Sequence, residues 1–122
     1  MNYKELEEKV LEWAEEKEIL TKATPLAQAN KTLEEVNELL FALTLKDKLD
    51  RIIGNDCHLT PYDDMIYEAN YEIKDAFGDI LVTLIIGAKL NNLDLIECLE
   101  GAYNVIKNRT GKMVNGQFVK DK

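Results

Sequence analysis

The stretch from Ile80 to Leu90 is apolar on every helical face, and this constrains the chain more than any other feature. One stripe at three- and four-residue steps runs through Val82, Thr83, Ile86 and Leu90, and the opposite one through Ile73, Phe77, Ile80, Leu84 and Ala88. A helix that is apolar all round has to be covered on all sides. A bilayer is excluded as the cover, because the longest charge-free run, Ile80 to Ala88, is too short to span one. The cover must be protein. A chain of 122 residues with 46% hydrophobic content is one domain with a real core, and at 7% aromatic residues that core is built mainly from Leu, Ile, Val and Ala. The opening residues, Met1-Asn2-Tyr3-Lys4-Glu5, contain no apolar signal region, so a cytoplasmic protein is expected. Cys57 and Cys98 are too few for a disulfide scaffold and have no metal-type spacing.

Helical periodicity extends to nearly all of the chain. Tyr3, Leu6, Val10, Trp13, Ala14, Lys17 and Leu20 mark an amphipathic first helix, with Glu5, Glu8, Glu12, Glu15 and Glu16 on its solvated face. Thr24-Pro25 announces a second helix, Thr as N-cap and Pro in the first turn, which runs through Leu33, Val36, Leu39, Leu40 and Leu43 and fades near Gly54. The segment from Gly54 to Leu59 reads as a loop. Thr60-Pro61-Tyr62-Asp63 then repeats the N-terminal signal with an acid completing a capping-box-like pattern. A long third helix runs from about Pro61 to Leu90, with a possible break near Asn70, and ends at Asn91-Asn92. A fourth covers about Leu93 to Asn108. Past Gly111 the period changes, and Lys112-Met113-Val114, Asn115-Gly116, Gln117-Phe118-Val119 has the pattern of a hairpin with a type I′ turn. Such a hairpin is marginal alone and should lean on the bundle or on a second subunit. The expected fold is all-α: a single four-helix-bundle domain over residues 1–122, with a hairpin tail at about 111–120.

The net charge is −8, which argues against nonspecific nucleic-acid binding. From Lys107 onward, Lys107, Arg109, Lys112, Lys120 and Lys122 stand against Asp121 alone, a balance of +4 that leaves −12 for everything before. Two acid clusters stand out in that body. Glu35 and Glu38, within Glu34-Glu35-Val36-Asn37-Glu38, share a helix face, and Glu72, Asp75 and Asp79 share another. Both stripes continue into apolar residues, so both clusters point toward packed interior. Two carboxylates about 4 Å apart repel by about 4 kcal/mol at an effective dielectric near 20. Four or five of them require a cation or a shared proton. An all-oxygen donor set suits a hard cation, Mg²⁺ or Mn²⁺, better than zinc.

Lys31-Thr32-Leu33-Glu34-Glu35-Val36-Asn37-Glu38-Leu39, followed by Asp75-Ala76-Phe77-Gly78-Asp79-Ile80-Leu81, resembles the MazG-like all-α nucleoside triphosphate pyrophosphohydrolases. That family shows an E-x-x-E motif, a variable gap, and an E-x-x-D motif usually written E-E-L-G-D. The likeness covers nearly the whole chain and is strongest to the small single-domain forms of phage and Gram-positive genomes. It implies a helical bundle, Mg²⁺ dependence (Mn²⁺ as substitute), a homodimer or a dimer of dimers, and hydrolysis of a (d)NTP to the monophosphate and pyrophosphate. A role in cleaning the nucleotide pool follows from the same resemblance. The metal ligands it implies are Glu35, Glu38 and Asp79, with Glu38 and Asp79 also catalytic and Glu38 orienting the attacking water. The chain departs from the pattern at Ala76, where the family has Glu. Asp75 stands in for it, one turn before Asp79, with Glu72 as the other acid within reach.

Other residues carry two readings each. Lys31 either meets a substrate phosphate or pairs with Glu35, and Gln28, on the same stripe, either touches a base or is a surface polar group. Trp13 could stack on a base, but its apolar spacing places it in the core. Gly78 permits close helix packing beside the acids. Lys107, Asn108 and Arg109 either complement a helix C-terminus or contact phosphate. His58 has no partner spacing and reads as structural; as the only His, it also excludes a di-iron bundle, which needs two Glu-x-x-His motifs. Against the hydrolase stands a different class, a non-catalytic helical interaction or assembly module whose acids serve solubility.

Overall fold

A computed structural model describes residues 1–54 and 62–122. Asn2 caps the first helix, α1 (Tyr3–Glu16), its Oδ1 accepting from the Glu5 amide at 2.9 Å. The expected continuation to Leu20 is broken. Glu18 adopts a left-handed conformation at φ 63°, and a single turn, α2 (Ile19–Lys22), restarts after it. The break has a packing reason. After Ala14 the apolar stripe runs out at Lys17, and the turn brings half-buried Ile19 and Leu20 back onto the neighbouring long helix.

The second expected helix is observed with the bounds read from its caps: α3 (Pro25–Ile53), with Thr24 Oγ1 accepting from the Ala27 amide at 3.1 Å and Gly54 at its end. The loop from Asn55 to Leu59, with His58, and the Thr60-Pro61 part of the next N-terminal signal lie outside the described residues. The third helix, α4 (Asp63–Leu90), is unbroken through Asn70, with Asp63 and Asp64 in its first turn. Asn91 and Asn92 end it in a Schellman arrangement: Asn92 turns to φ 57°, Leu93 N–H reaches Ala88 O at 2.9 Å and Asn92 N–H reaches Lys89 O at 3.0 Å. Asp94 then caps α5 (Leu95–Ile106).

The bundle is organised around the antiparallel pair α3 and α4, onto which α1, α2 and α5 pack. Its deepest residues are small: Ala14, Ala42, Ala69 and Ala76, with Leu49, Ile85 and Ile86. Trp13 is not a core residue, being 46% exposed. Neighbouring residues on a helix lie about 100° apart, and Ala14 takes the inward position while Trp13 sits at the rim. The apolar face of α4 is likewise not covered all round, since Phe77, Leu81 and Leu84 are exposed. No helix among the described residues is long and apolar enough to cross a membrane.

The hairpin forms as its sequence predicts. β1 (Gly111–Val114) pairs antiparallel with β2 (Gln117–Lys120), Met113 facing Phe118, and Asn115 and Gly116 supply the positive φ values, 50° and 79°, of a type I′ turn. Removing the Thr24 cap by Thr24→Ala should cost about 1 kcal/mol of stability, read as a lower urea midpoint at unchanged slope.

Candidate functional site

Polar contacts set the register of the two long helices. Gln28 Nε2 donates to the Thr83 carbonyl at 3.3 Å, and Thr32 Oγ1 donates to Thr83 Oγ1 at 2.9 Å, which in turn donates to the Ile80 carbonyl at 2.7 Å. Gln28 is therefore a buried cross-link between α3 and α4, not a surface group. Seven residues, close to two turns, return to the same helix face. Moving forward from Gln28 and back from Thr83 by that step sets Glu35 opposite Ala76, and a second step sets Ala42 opposite Ala69. Glu35 is thus a seam residue, its side chain only 12% exposed. Glu34, next to it, points out to solvent.

Burial is the main cause that pushes the Glu35 carboxyl above its ordinary range, followed by the Glu38 carboxyl, which shares a hydrogen bond with it, and by the charge of Asp79. Its Oε2 is buried without a donor. Asp79 is pushed up as well, first by burial, then by Asp75 and Glu38. The two motifs, far apart in the chain, therefore meet: Glu35 and Glu38 from α3, Asp75 and Asp79 from α4. Two ionised carboxylates have no proton to donate to each other, so a proton or a cation must stand between them. Among the described residues no three His, Cys, Asp or Glu side chains are gathered about one point as ligands are about a metal ion. The four acids face each other without closing into a shell.

Lys31 is the cation nearest the cluster. Its ammonium lies 3.0 Å from Glu34 Oε2 and 3.8 Å from Glu35 Oε1, and the Glu34 contact, with the charge of Glu35, raises its pKa. Of its two readings, the local ion pair is the arrangement present. Lys107, Asn108 and Arg109 are exposed beyond the last turn of α5, and within one chain they make no hydrogen bond or ion pair with the cluster. Glu72 is exposed on the rim of a cavity of about 540 Å³, which also takes in Asn37, Glu38, Phe41, Met65 and Glu68. That volume lies within the range of small-molecule sites.

Ala76 has a structural reason of its own. It is 4% exposed and directed into the seam, where its small side chain leaves room for the Glu35 carboxylate opposite. A Glu at 76, as the resemblance implies, would confront Glu35 across the seam, whereas Asp75 is exposed and adjoins Asp79. Glu7 went unassigned in the sequence, yet it is buried, its Oε1 3.8 Å from Lys4 and its Oε2 without a donor. Its signal was present, four residues after Tyr3 and seven before Ala14, on the apolar stripe. Burial, together with a hydrogen bond to Glu7, pushes the Tyr3 hydroxyl up to about 12.

Comparison with protein families, curated proteins and solved structures finds no match to the chain, so the reading of the site rests on its own chemistry.

Because Glu35 and Asp79 hold their protons more tightly folded than unfolded, the folded state binds more protons in the window between the ordinary carboxylate range and their raised values. Their contribution to stability is present at the acid side of that window and is lost as pH rises through it. The metal-free protein should therefore lose stability at these groups as pH rises from the ordinary carboxylate range through their raised values. Asp79→Asn should flatten that loss and raise the neutral-pH stability, measured by urea unfolding across the range.

Proposed function

We propose that the protein is a Mg²⁺-dependent nucleoside triphosphate pyrophosphohydrolase of the MazG-like kind, releasing pyrophosphate and a nucleoside monophosphate. One observation carries this reading: two acid motifs about forty residues apart converge across the α3–α4 seam on a buried carboxylate with an unpartnered oxygen. A solvated surface cluster would have no reason to bury Glu35. The donor set is all oxygen and negatively charged, and Glu35 Oε2 is an acceptor in need of a positive partner, so the residues suit a hard divalent cation. Glu35, Glu38, Asp75 and Asp79 would hold it, and when bound it would neutralise charge on the triphosphate and polarise its phosphoryl oxygens.

The chain's own groups supply the rest. Glu38, exposed beside Glu35 and at the rim of the cavity, is positioned to take a proton from the attacking water. The water oxygen bonds to the α-phosphorus as the bond to the bridging oxygen breaks, and pyrophosphate leaves with that oxygen. Lys31, exposed and paired to an exposed Glu34, exchanges that contact for a phosphate oxygen at small cost, because surface ion pairs are worth at most about 1 kcal/mol. Lys107 and Arg109 contribute only if a second copy brings them to the site, and a homo-oligomer is part of this reading. The assembly-module alternative is favoured by one observation, that α5 and the hairpin have no buried residue, and it predicts no nucleotide turnover.

Pyrophosphate release from a panel of NTPs and dNTPs, with and without Mg²⁺ or Mn²⁺, decides between the two; no release from any nucleotide with either metal overturns the hydrolase. Asp79→Asn should reduce turnover at least about a hundredfold, a loss of the size seen when a group stabilising the transition state is removed. A divalent cation at a hundredfold excess over its dissociation constant should stabilise the wild type by about 2.7 kcal/mol, and the Asn variant by less. Ala76→Glu, although it restores the motif, should cost more than about 1 kcal/mol in the metal-free protein, since it places a second carboxylate in the seam.

A further inference from the structure

An extended exposed apolar surface lies on α5 and the hairpin. No residue of α5 is buried, although Leu99, Tyr103, Val105 and Ile106 are all large and apolar. All residues of both strands are exposed, and among the described residues the hairpin packs against no helix. A lone two-stranded hairpin is marginal in water, and this one displays Met113 directly opposite Phe118 on one face, 66% and 53% exposed. Beside the first turns of α5 lies an apolar groove of about 670 Å³, lined by Tyr3 of α1, Leu81 and Leu84 of α4, and Leu95, Cys98 and Leu99 of α5.

The groove and the hairpin sit at opposite ends of α5. Twelve residues of helix span about 18 Å, so the groove lies at the start of α5 while the hairpin begins five residues past its end. Two copies of α5 packed antiparallel bring the hairpin of each to the groove of the other. The charges agree with that pairing. Asp94, Glu97 and Glu100 make the start of α5 acidic with no cation among them, whereas Lys107, Arg109, Lys112, Lys120 and Lys122 make its far end and the hairpin basic. None of those five cations has an ion-pair partner among the described residues.

We propose that the protein pairs with a second copy of itself about a twofold axis, α5 antiparallel to α5, with the Met113/Phe118 face of each hairpin seated in the Tyr3–Leu84–Leu99 groove of the other. Such an interface is isologous and closed: each copy gives one hairpin and receives one. The proposal does not rest on the hydrolase reading.

Cys98 lines the groove and is free, which gives a direct test on the full chain. In a Cys57→Ser background, Met113→Cys and Phe118→Cys are introduced singly and the protein is oxidised. Expected from at least one position is a disulfide to Cys98 that joins two chains, seen as a dimer on a non-reducing gel, with none from Glu12→Cys on the solvated face of α1. A disulfide closed within one chain, or no cross-link from either hairpin position, overturns the proposal. Sedimentation gives the second readout: Met113→Ser with Phe118→Ser, outside the helices, should raise the dimer dissociation constant at least about tenfold while the helical circular dichroism is kept. An unchanged dissociation constant, or a wild type that is monomeric at micromolar concentration, counts against it equally.

Discussion

The register between α3 and α4 is the constraint on which both fold and site depend. It is held by a small polar clasp, Gln28 and Thr32 on one helix against Thr83 on the other, in a seam otherwise made of alanines and a few aliphatic residues. Small side chains let the two helices approach but discriminate poorly between registers, because one alanine packs much like the next. The buried hydrogen bonds supply the discrimination. Sliding one helix by a turn, about 5.4 Å, would leave the buried Gln28 amide without the Thr83 carbonyl, at a cost of about 1–3 kcal/mol, and would break the Thr32–Thr83 hydroxyl contact. The same slip would draw Glu35 and Asp79 apart. A clasp of this kind therefore fixes the distance between two acids that lie about one turn from its nearest members, Glu35 from Thr32 and Asp79 from Thr83.

That placement opposes stability. A carboxylate in the seam loses hydration, and its neighbours Glu38 and Asp79 are of the same sign, while Lys31 approaches only from the exposed side and is shared with Glu34. Nothing in the packing of α3 requires an acid at 35; an alanine or leucine there would continue the pattern set by Ala42 and Leu49. Local choices that contradict an otherwise consistent seam are expected at functional sites, where stability is given up for chemistry. The alanine at 76 fits the same logic, since it lowers the crowding around the carboxylate placed in the α3–α4 seam.

Much of this was legible in the sequence, for reasons that are local. Thr24-Pro25, Asn91-Asn92 and Asn115-Gly116 specify their ends and turn through backbone chemistry that no distant residue alters, and each is observed where it was read. The pairing of Glu35 with Glu38 and of Asp75 with Asp79 follows from helical spacing alone. What could not be read from spacing is the rotation of each helix about its axis. Glu35 and Glu38 share the stripe that was read as facing the interior, and only the partner helix decides that Glu35 sits in the seam while Glu38 is exposed. The same ambiguity placed Trp13 inside in place of Glu7, and Gln28 outside when it is the clasp. The turn at Glu18 was hidden for a different reason: it depends on α4 being present to receive Ile19 and Leu20.

The small size of the seam residues has a further consequence for how the chain is stabilised. No large side chain among the described residues is completely buried, and many large apolar side chains, among them Phe77, Leu81 and Leu84 on α4 and Leu99 and Tyr103 on α5, lie at the surface of a single copy. A domain of this length depends on burying such groups for most of its few kcal/mol of net stability. The proposed pairing, by covering them, would couple association to folding, and the apparent stability would then rise with protein concentration. α4 carries both halves of the problem. One face holds Asp79 and Thr83 against α3, and another presents Leu81 and Leu84 to the groove beside α5. Whatever occupies that groove restrains the helix that also positions the acids, so occupation of the acid cluster and association of the chain act on one rigid element and are expected to influence each other by linkage.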